Sequence, residues 1–244
     1  MIELDFTKNM LGINISGDFD DLNELSKSFS NLTNLNLDIK EKYATSTIII
    51  ETLNSNIRSA LMGEKDIIFK ENGIYDELCA YRNIKASDTN VYFSLNVSLV
   101  DMLYIAITGN KLLFISANNL VYSESFLSFI EDSKTFESFI IKIWSLLKTK
   151  LDNKKTEELY SLALLNDEEY EFYLLQYIDK LFIDLYNSKN KEEEIYNIIN
   201  KLIKRSKEYV DLYNELLKKS FEENLPLLEA SNDYLDSYPN EFEW

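Results

Sequence analysis

Glycine and proline divide this chain. All five glycines, Gly12, Gly17, Gly63, Gly73 and Gly109, lie in the front part, both prolines, Pro226 and Pro239, lie near the end, and the long stretch between holds neither. Turns that need a left-handed or a fixed backbone are therefore confined to the front, which predicts mixed α and β structure there and mostly helix behind. Charge follows the same division. Residues 1–150 hold 20 acids and 14 bases, whereas residues 151–244 hold 22 acids and 11 bases, so the acidity behind the formal charge of −17 is concentrated at the back.

Within the front, Ile2–Phe6 and Ile13–Ser16 are short apolar runs separated by Asn9 and Gly12, which suits two neighbouring strands. Gly17 ends the second. Asp18, Asp20 and Asp21 then precede Leu22, Leu25 and Phe29, the spacing of a helix whose acidic first turn complements its dipole. Ile49, Leu53, Ile57 and Leu61 fall four apart and predict a buried helical stripe stopped by Gly63. Ile67–Phe69 and Val91–Val97 read as strands, the second with Val91, Phe93, Leu95 and Val97 on a core face. Ser98 with Asp101 resembles a capping box that opens a helix at Leu99, for which Gly109–Asn110 supplies a stop. A helix from about Lys134, with Phe136, Phe139, Ile140, Ile143, Trp144, Leu147 and Leu151 on one side, closes the module.

Behind it, Asn166 with Glu169 and Asn190 with Glu193 mark two further helix starts. Stripes from Tyr170 to Leu185 and from Ile195 to Leu217 predict two long helices, most simply an antiparallel hairpin. The fold class expected is α+β: a module at 1–150 with a small mixed or antiparallel sheet of about four strands and covering helices, an all-α helical hairpin extension at 151–220, and an acidic aromatic tail at 221–244.

Composition then limits the chemistry. The chain contains no histidine and a single cysteine, Cys79. A Ser–His–acid triad, a Cys–His dyad, a His-ligated zinc, a thiolate zinc cluster and an intrachain disulfide are all excluded within this chain. Cys79, flanked by Asp76 and Glu77, is expected to be an inert apolar residue. The start, MIELDFTKNM, has no basic region or long apolar run, and the most apolar window, Leu99 to Ile115, is broken by Asp101, Asn110 and Lys111. The expectation is a cytoplasmic protein with no membrane span. The negative charge repels phosphate backbones and anionic lipid, which disfavours nucleic acid and membrane as ligands and favours a basic protein partner.

The run Gly12-Ile13-Asn14-Ile15-Ser16-Gly17-Asp18-Phe19-Asp20-Asp21-Leu22-Asn23-Glu24-Leu25 resembles the opening of a bacterial family of unknown function. Ile57-Arg58-Ser59-Ala60-Leu61-Met62-Gly63 resembles that family's arginine-bearing helix end, and Asn90-Val91-Tyr92-Phe93-Ser94 running into Leu99–Gly109 resembles its strand and apolar helix. The likeness spans roughly residues 1–150. It implies an intracellular bacterial α+β module and carries over no activity and no site.

Three constellations remain. Asp18, Asp20, Asp21 and Glu24 are hard oxygen donors able to hold Mg²⁺ or Ca²⁺, but their spacing is not that of an EF-hand, and the acidic N-terminal cap of a helix is the preferred account of them. With Asp38-Ile39-Lys40 they also offer a faint metal-dependent nuclease pattern. Arg58, one of three arginines with Arg82 and Arg205, is expected to pair internally with one of the Asp18–Glu24 carboxylates. In the tail, Tyr234, Tyr238, Phe242 and Trp244 stand among seven acids and no base from Phe221 onward, a composition suited to docking on a basic grooved partner or to packing back on the chain. The sequence thus favours a non-enzymatic binder of a basic protein, in an immunity, antitoxin-like or phage-conflict role, that needs no cofactor. Its rival is a metal-dependent hydrolase or nuclease built on Asp18–Glu24.

Overall fold

The computed structural model describes the chain apart from residues 35–36, 121–125, 167–169, 231–237 and 240–241, with residues 76–78 described by backbone only. Two strands open it, β1 (Glu3–Phe6) and β2 (Gly12–Gly17), antiparallel with Leu4 opposite Ile15 and Phe6 opposite Ile13. Thr7 ties the turn between them: its hydroxyl donates to the Gly12 carbonyl (3.1 Å) and accepts from the Gly12 amide (3.0 Å). Helices α1 (Phe19–Leu32), α2 (Leu37–Lys42) and α3 (Ala44–Leu61) follow, then β3 (Asp66–Glu71), α4 (Asp76–Arg82) and β4 (Thr89–Ser98). Strand β4 pairs antiparallel with both β2 and β3, so the sheet order is β1-β2-β4-β3. The remainder is helical: α5 (Leu99–Leu120), α6 (Phe126–Leu147), α7 (Asn153–Leu164), α8 (Leu175–Asn187), α9 (Lys191–Ile203) and α10 (Lys207–Glu223). The protein is α+β, with a small antiparallel sheet and a helical C-terminal part.

The sheet has one apolar and one polar face, as period-two alternation requires. Ile13, Ile15, Leu95 and Val97 are buried in the core, whereas on the other face the Asn14 amide donates to Ser94 Oγ (2.8 Å) and Asn96 Oδ1 (2.7 Å). The apolar face is not covered along its whole length. Val91 is 44% exposed while Leu95 is 2% exposed, because the helical layer stops short of β3.

Four boundaries differ from the sequence expectation. Helix α5 runs through Gly109, whose lack of a side chain serves close packing: a Cβ there would lie 2.5 Å from Ile140 Cδ1 and 3.0 Å from Phe136 Cε1 of α6. Helix α6 starts at Phe126, a full two turns before Lys134. The helix start expected at Asn166 with Glu169 falls on residues 167–169, which lie outside the described ones; the next described helix begins at Leu175, and the Asn166 amide donates to the Tyr170 hydroxyl (2.7 Å) and the Ile203 carbonyl (3.0 Å). The chain at 170–174 stays non-helical because Phe172 is left-handed (φ 54°), its amide donates to the Lys42 carbonyl (2.6 Å), and Thr45 donates to the Tyr173 carbonyl. The last stripe is broken in two by Ser206, which caps α10 by accepting from the Tyr209 amide (3.2 Å) and bonds the Tyr177 hydroxyl (2.7 Å).

Front and back share one core. Helix α5 packs against α3 and α6 on the sheet side and against α7, α8 and α9 on the other, so it is buried nearly all round. It is also the one helix among the described residues long and apolar enough to cross a membrane, and most of that length is buried inside the protein. Tyrosines make the junction. Tyr104 of α5 meets Tyr170 (5.9 Å, perpendicular) and Tyr173 (5.3 Å), and Tyr173 stacks on Tyr209 of α10 at 4.6 Å.

Two of these hydroxyls differ in a testable way. The Tyr104 hydroxyl lies 3.0 Å from Ser46 Oγ, whereas the buried Tyr173 hydroxyl has no hydrogen-bond partner among the described residues, and burial pushes its phenol well above the usual range. Tyr173→Phe is therefore expected to be neutral or stabilising by about 1 kcal/mol, while Tyr104→Phe, which orphans Ser46, costs about 1 kcal/mol. Urea denaturation decides; a loss on Tyr173→Phe as large as that on Tyr104→Phe would show that both hydroxyls are bonded.

Candidate functional site

The tail turns back across the helices. Gln176 of α8 starts it, its amide donating to the carbonyls of Leu228 (3.0 Å) and Ala230 (3.2 Å). Tyr238 then stacks on Phe182 (5.4 Å, 20° between planes), Phe242 meets Phe182 at 5.1 Å and Trp244 at 4.9 Å, and Asn9 donates to the Glu243 carbonyl (3.2 Å). The Trp244 ring reaches the sheet at Gly12, where a Cβ would lie 2.5 Å from both the indole and the Val97 carbonyl. Of the four tail rings proposed to meet a partner, Tyr238, Phe242 and Trp244 are thus engaged within the chain, and Tyr234 lies outside the described residues.

Beneath this tail is a cavity of about 250 Å³, bounded by α3, the end of β4, the first turn of α5 and the three tail rings. Its wall is apolar at Ile49, Leu53, Met102 and Ile105 and polar at Asn56, Asn96, Ser98 and Asp101. Ser98 caps α5 by accepting from the Asp101 amide (3.3 Å), which fixes Asp101 against the cavity. Burial pushes the Asp101 carboxyl up to about 7, and the charge of Asp179 on α8 adds to the rise. Asp179 is itself pushed up to about 6 by burial, and the Tyr238 phenol to about 12 by burial and by both acids. Two like charges in a partly buried site oppose each other's ionisation, which favours the protonated form of each. Asp101, which lines the cavity, can donate to, or accept from, a small polar group entering it.

Neither acid figured among the site residues expected from sequence. Both had a signal: Asp101 interrupts the most apolar window of the chain, and Asp179 stands among the apolar residues of α8.

The acids offered as a metal site stand at the helix start that was the preferred account of them. Asp18 is the N-cap of α1, its carboxylate accepting from the Asp21 amide (2.9 Å), and Asp21 returns the bond to the Asp18 amide and pairs with the Met1 amine. Asp20 and Glu24 are exposed. Among the described residues no three such side chains converge where they could hold a metal ion. Asp38-Ile39-Lys40 lies on α2, not on a strand, and Lys40 pairs with Glu51 (3.2 Å). Arg58 reaches Ser30 Oγ (3.0 Å) and Ser26 Oγ (3.5 Å) in place of the expected carboxylate, because α3 crosses α1 beyond its acidic first turn.

A second concavity, about 460 Å³, opens between the first turns of α7 and α9. Asp152, Glu192, Glu193, Tyr196, Lys150 and Lys155 line it, Lys155 lying 5.3 Å over the Tyr196 ring. The apolar flank of α9, from Ile195 to Ile203, is buried, which leaves these glutamates on solvent.

A family model described as a domain of unknown function matches residues 2–244, so the match takes in the helical half and the tail as well as the three front blocks. No curated protein and no solved structure matches the chain.

Proposed function

The chain belongs to that family, the domain of unknown function DUF6904, and on this premise we propose that it is a non-enzymatic protein that binds another, basic protein through its acidic helical half, in an immunity, antitoxin-like or phage-conflict role. One observation carries the reading. The groove between α7 and α9 offers Glu192 and Glu193 on solvent, a concave seat for a lysine or arginine side chain, while its Tyr196 ring is already covered by Lys155 of this chain. The charge of −17 would steer such a partner. The tail is a poorer surface, since its described rings pack on Phe182 and Gly12. The binding reading is preferred to a hydrolase because Asp18 and Asp21 are engaged in capping α1.

Capture on the tagged full chain from cells of its source should recover a basic protein that saturates and is released by salt. Glu192→Lys with Glu193→Lys should weaken that binding about tenfold or more, as expected when two steering charges are reversed in a seat. Binding indifferent to the reversal, or no saturable partner, overturns the proposal. So does turnover of any phosphoester by the purified chain that Asp20→Ala abolishes.

A further inference from the structure

The two edges of the sheet are treated differently. At β1 the edge lies along α6, and Lys142 donates to the Ile2 carbonyl (2.8 Å). At the other edge β3 pairs with β4 on one side and, among the described residues, with no strand on the other. It is apolar on both faces and open: Ile67 is 45%, Ile68 37% and Phe69 68% exposed. An open apolar edge of this kind is a template for another strand unless something blunts it.

We propose that the edge is occupied by β3 of a second copy of this chain, antiparallel about a two-fold axis at Ile68, which makes one continuous sheet across the dimer. The sequence Lys65-Asp66-Ile67-Ile68-Phe69-Lys70-Glu71 is self-complementary in that register and in no neighbouring one. With Ile68 opposite its own copy, Ile67 faces Phe69 of the second copy, Asp66 faces Lys70 and Lys65 faces Glu71. A shift by half a residue sets Asp66 against Glu71 and Ile67 against Lys70. Centring on Ile67 sets Lys65 against Phe69, and centring on Phe69 sets Ile67 against Glu71.

Alternation makes both faces agree. Ile67 and Phe69 lie on the face of Val91 and Phe93, their β4 partners, where Phe19 at 52% exposure meets Phe93 edge-on at 6.4 Å; the apolar strip that the helices leave bare would meet its own copy there. Asp66, Ile68 and Lys70 lie on the polar face. Lys70 already pairs with Glu3 and sits 4.6 Å over the Tyr92 ring, so Asp66 of the second copy adds a second acceptor at a held ammonium. The segment from Lys65 to Glu71 carries two bases and two acids, a neutral strip in a chain of charge −17, so self-association there escapes the repulsion that the rest of the surface would impose.

Sedimentation equilibrium on the full chain should give a concentration-dependent mass approaching twice 28.6 kDa. Ile68→Lys, at an exposed position, should return the monomer. Lys65→Glu, which sets acids against both copies of Glu71, should weaken the dimer about tenfold, and adding Glu71→Lys should restore it. In a Cys79→Ser background, Ile68→Cys should cross-link under mild oxidation and Lys65→Cys should not. Circular dichroism confirms that each variant folds. A chain that stays monomeric at about 100 µM, far above the range of a specific homodimer, or a dimer indifferent to Ile68→Lys and to the charge swap, overturns the proposal.

Discussion

Asp101→Asn is expected to stabilise the fold at about pH 8 by roughly 2–4 kcal/mol and to flatten much of its stability profile between about pH 8 and 5. Both acids of the pair beneath the tail have folded values, about 7 and about 6, raised above the ordinary 3.8. A carboxyl whose folded pKa is raised contributes stability in its protonated form. That contribution is fully present below the unfolded value and is lost as pH rises through the folded one. The wild-type chain should therefore become more stable as the pH falls from about 8 to about 5, the reverse of acid denaturation through paired carboxylates. The window is unusually clean, because the chain has no imidazole to titrate within it. Urea midpoints measured across that range decide the matter. Equal midpoints for wild type at both ends would mean that Asp101 and Asp179 are ionised and solvated in the folded state.

The largest effect is expected from cutting the chain at residue 150. The fragment 1–150 keeps every strand and the helices over the sheet, and by sequence it reads as a self-sufficient module. It should nevertheless fail to fold to a stable native state. The cut strips α7, α8 and α9 from α5 and leaves Tyr104 without Tyr170 and Tyr173. Losing the ring contacts at Tyr104 alone approaches the roughly 3–5 kcal/mol of a large-to-small aromatic core change, against a total stability of about 5–15 kcal/mol. Expression of the fragment, followed by amide exchange and near-ultraviolet circular dichroism, tests this. A fragment with dispersed, protected amides would show that the sheet module folds alone and that the helical half is an addition to it.

Several elements were legible because their signals are local. The acidic first turn at Asp18–Asp21 and the Asn190 and Ser98 caps rest on side chains satisfying backbone groups within one turn, and the stripe from Ile49 to Leu61 rests on the spacing of its apolar residues and the turn at Gly63. Others failed where a distant contact overrode the local one. Gly109 has the sequence character of a stop, yet it is the point at which α5 and α6 come closest. Tyr170 and Tyr173 have helical spacing, yet a hydrogen bond from Phe172 to Lys42, far away in sequence, holds that segment out of a helix. Asp101 was visible as a charge interrupting the most apolar window, but nothing in the sequence spacing of Asp101 and Asp179 says that they lie close enough for one to raise the other.

By itself the sequence determined the α+β class, the adjacency of the first two strands, the exclusion of imidazole and thiolate chemistry, and the concentration of acid in the back half. These follow from composition and from periodicities of two and of about 3.6, which each segment carries on its own. Only the tertiary structure decided that front and back share a core through α5, that the tail rings turn inward onto Phe182 and Gly12, that Asp18 and Asp21 serve a helix end, and that β3 is left as an open edge. The reason is that burial is collective: whether a ring, a carboxyl or a strand edge faces water depends on which distant segment lies across it, and that information is held by no single stretch of chain.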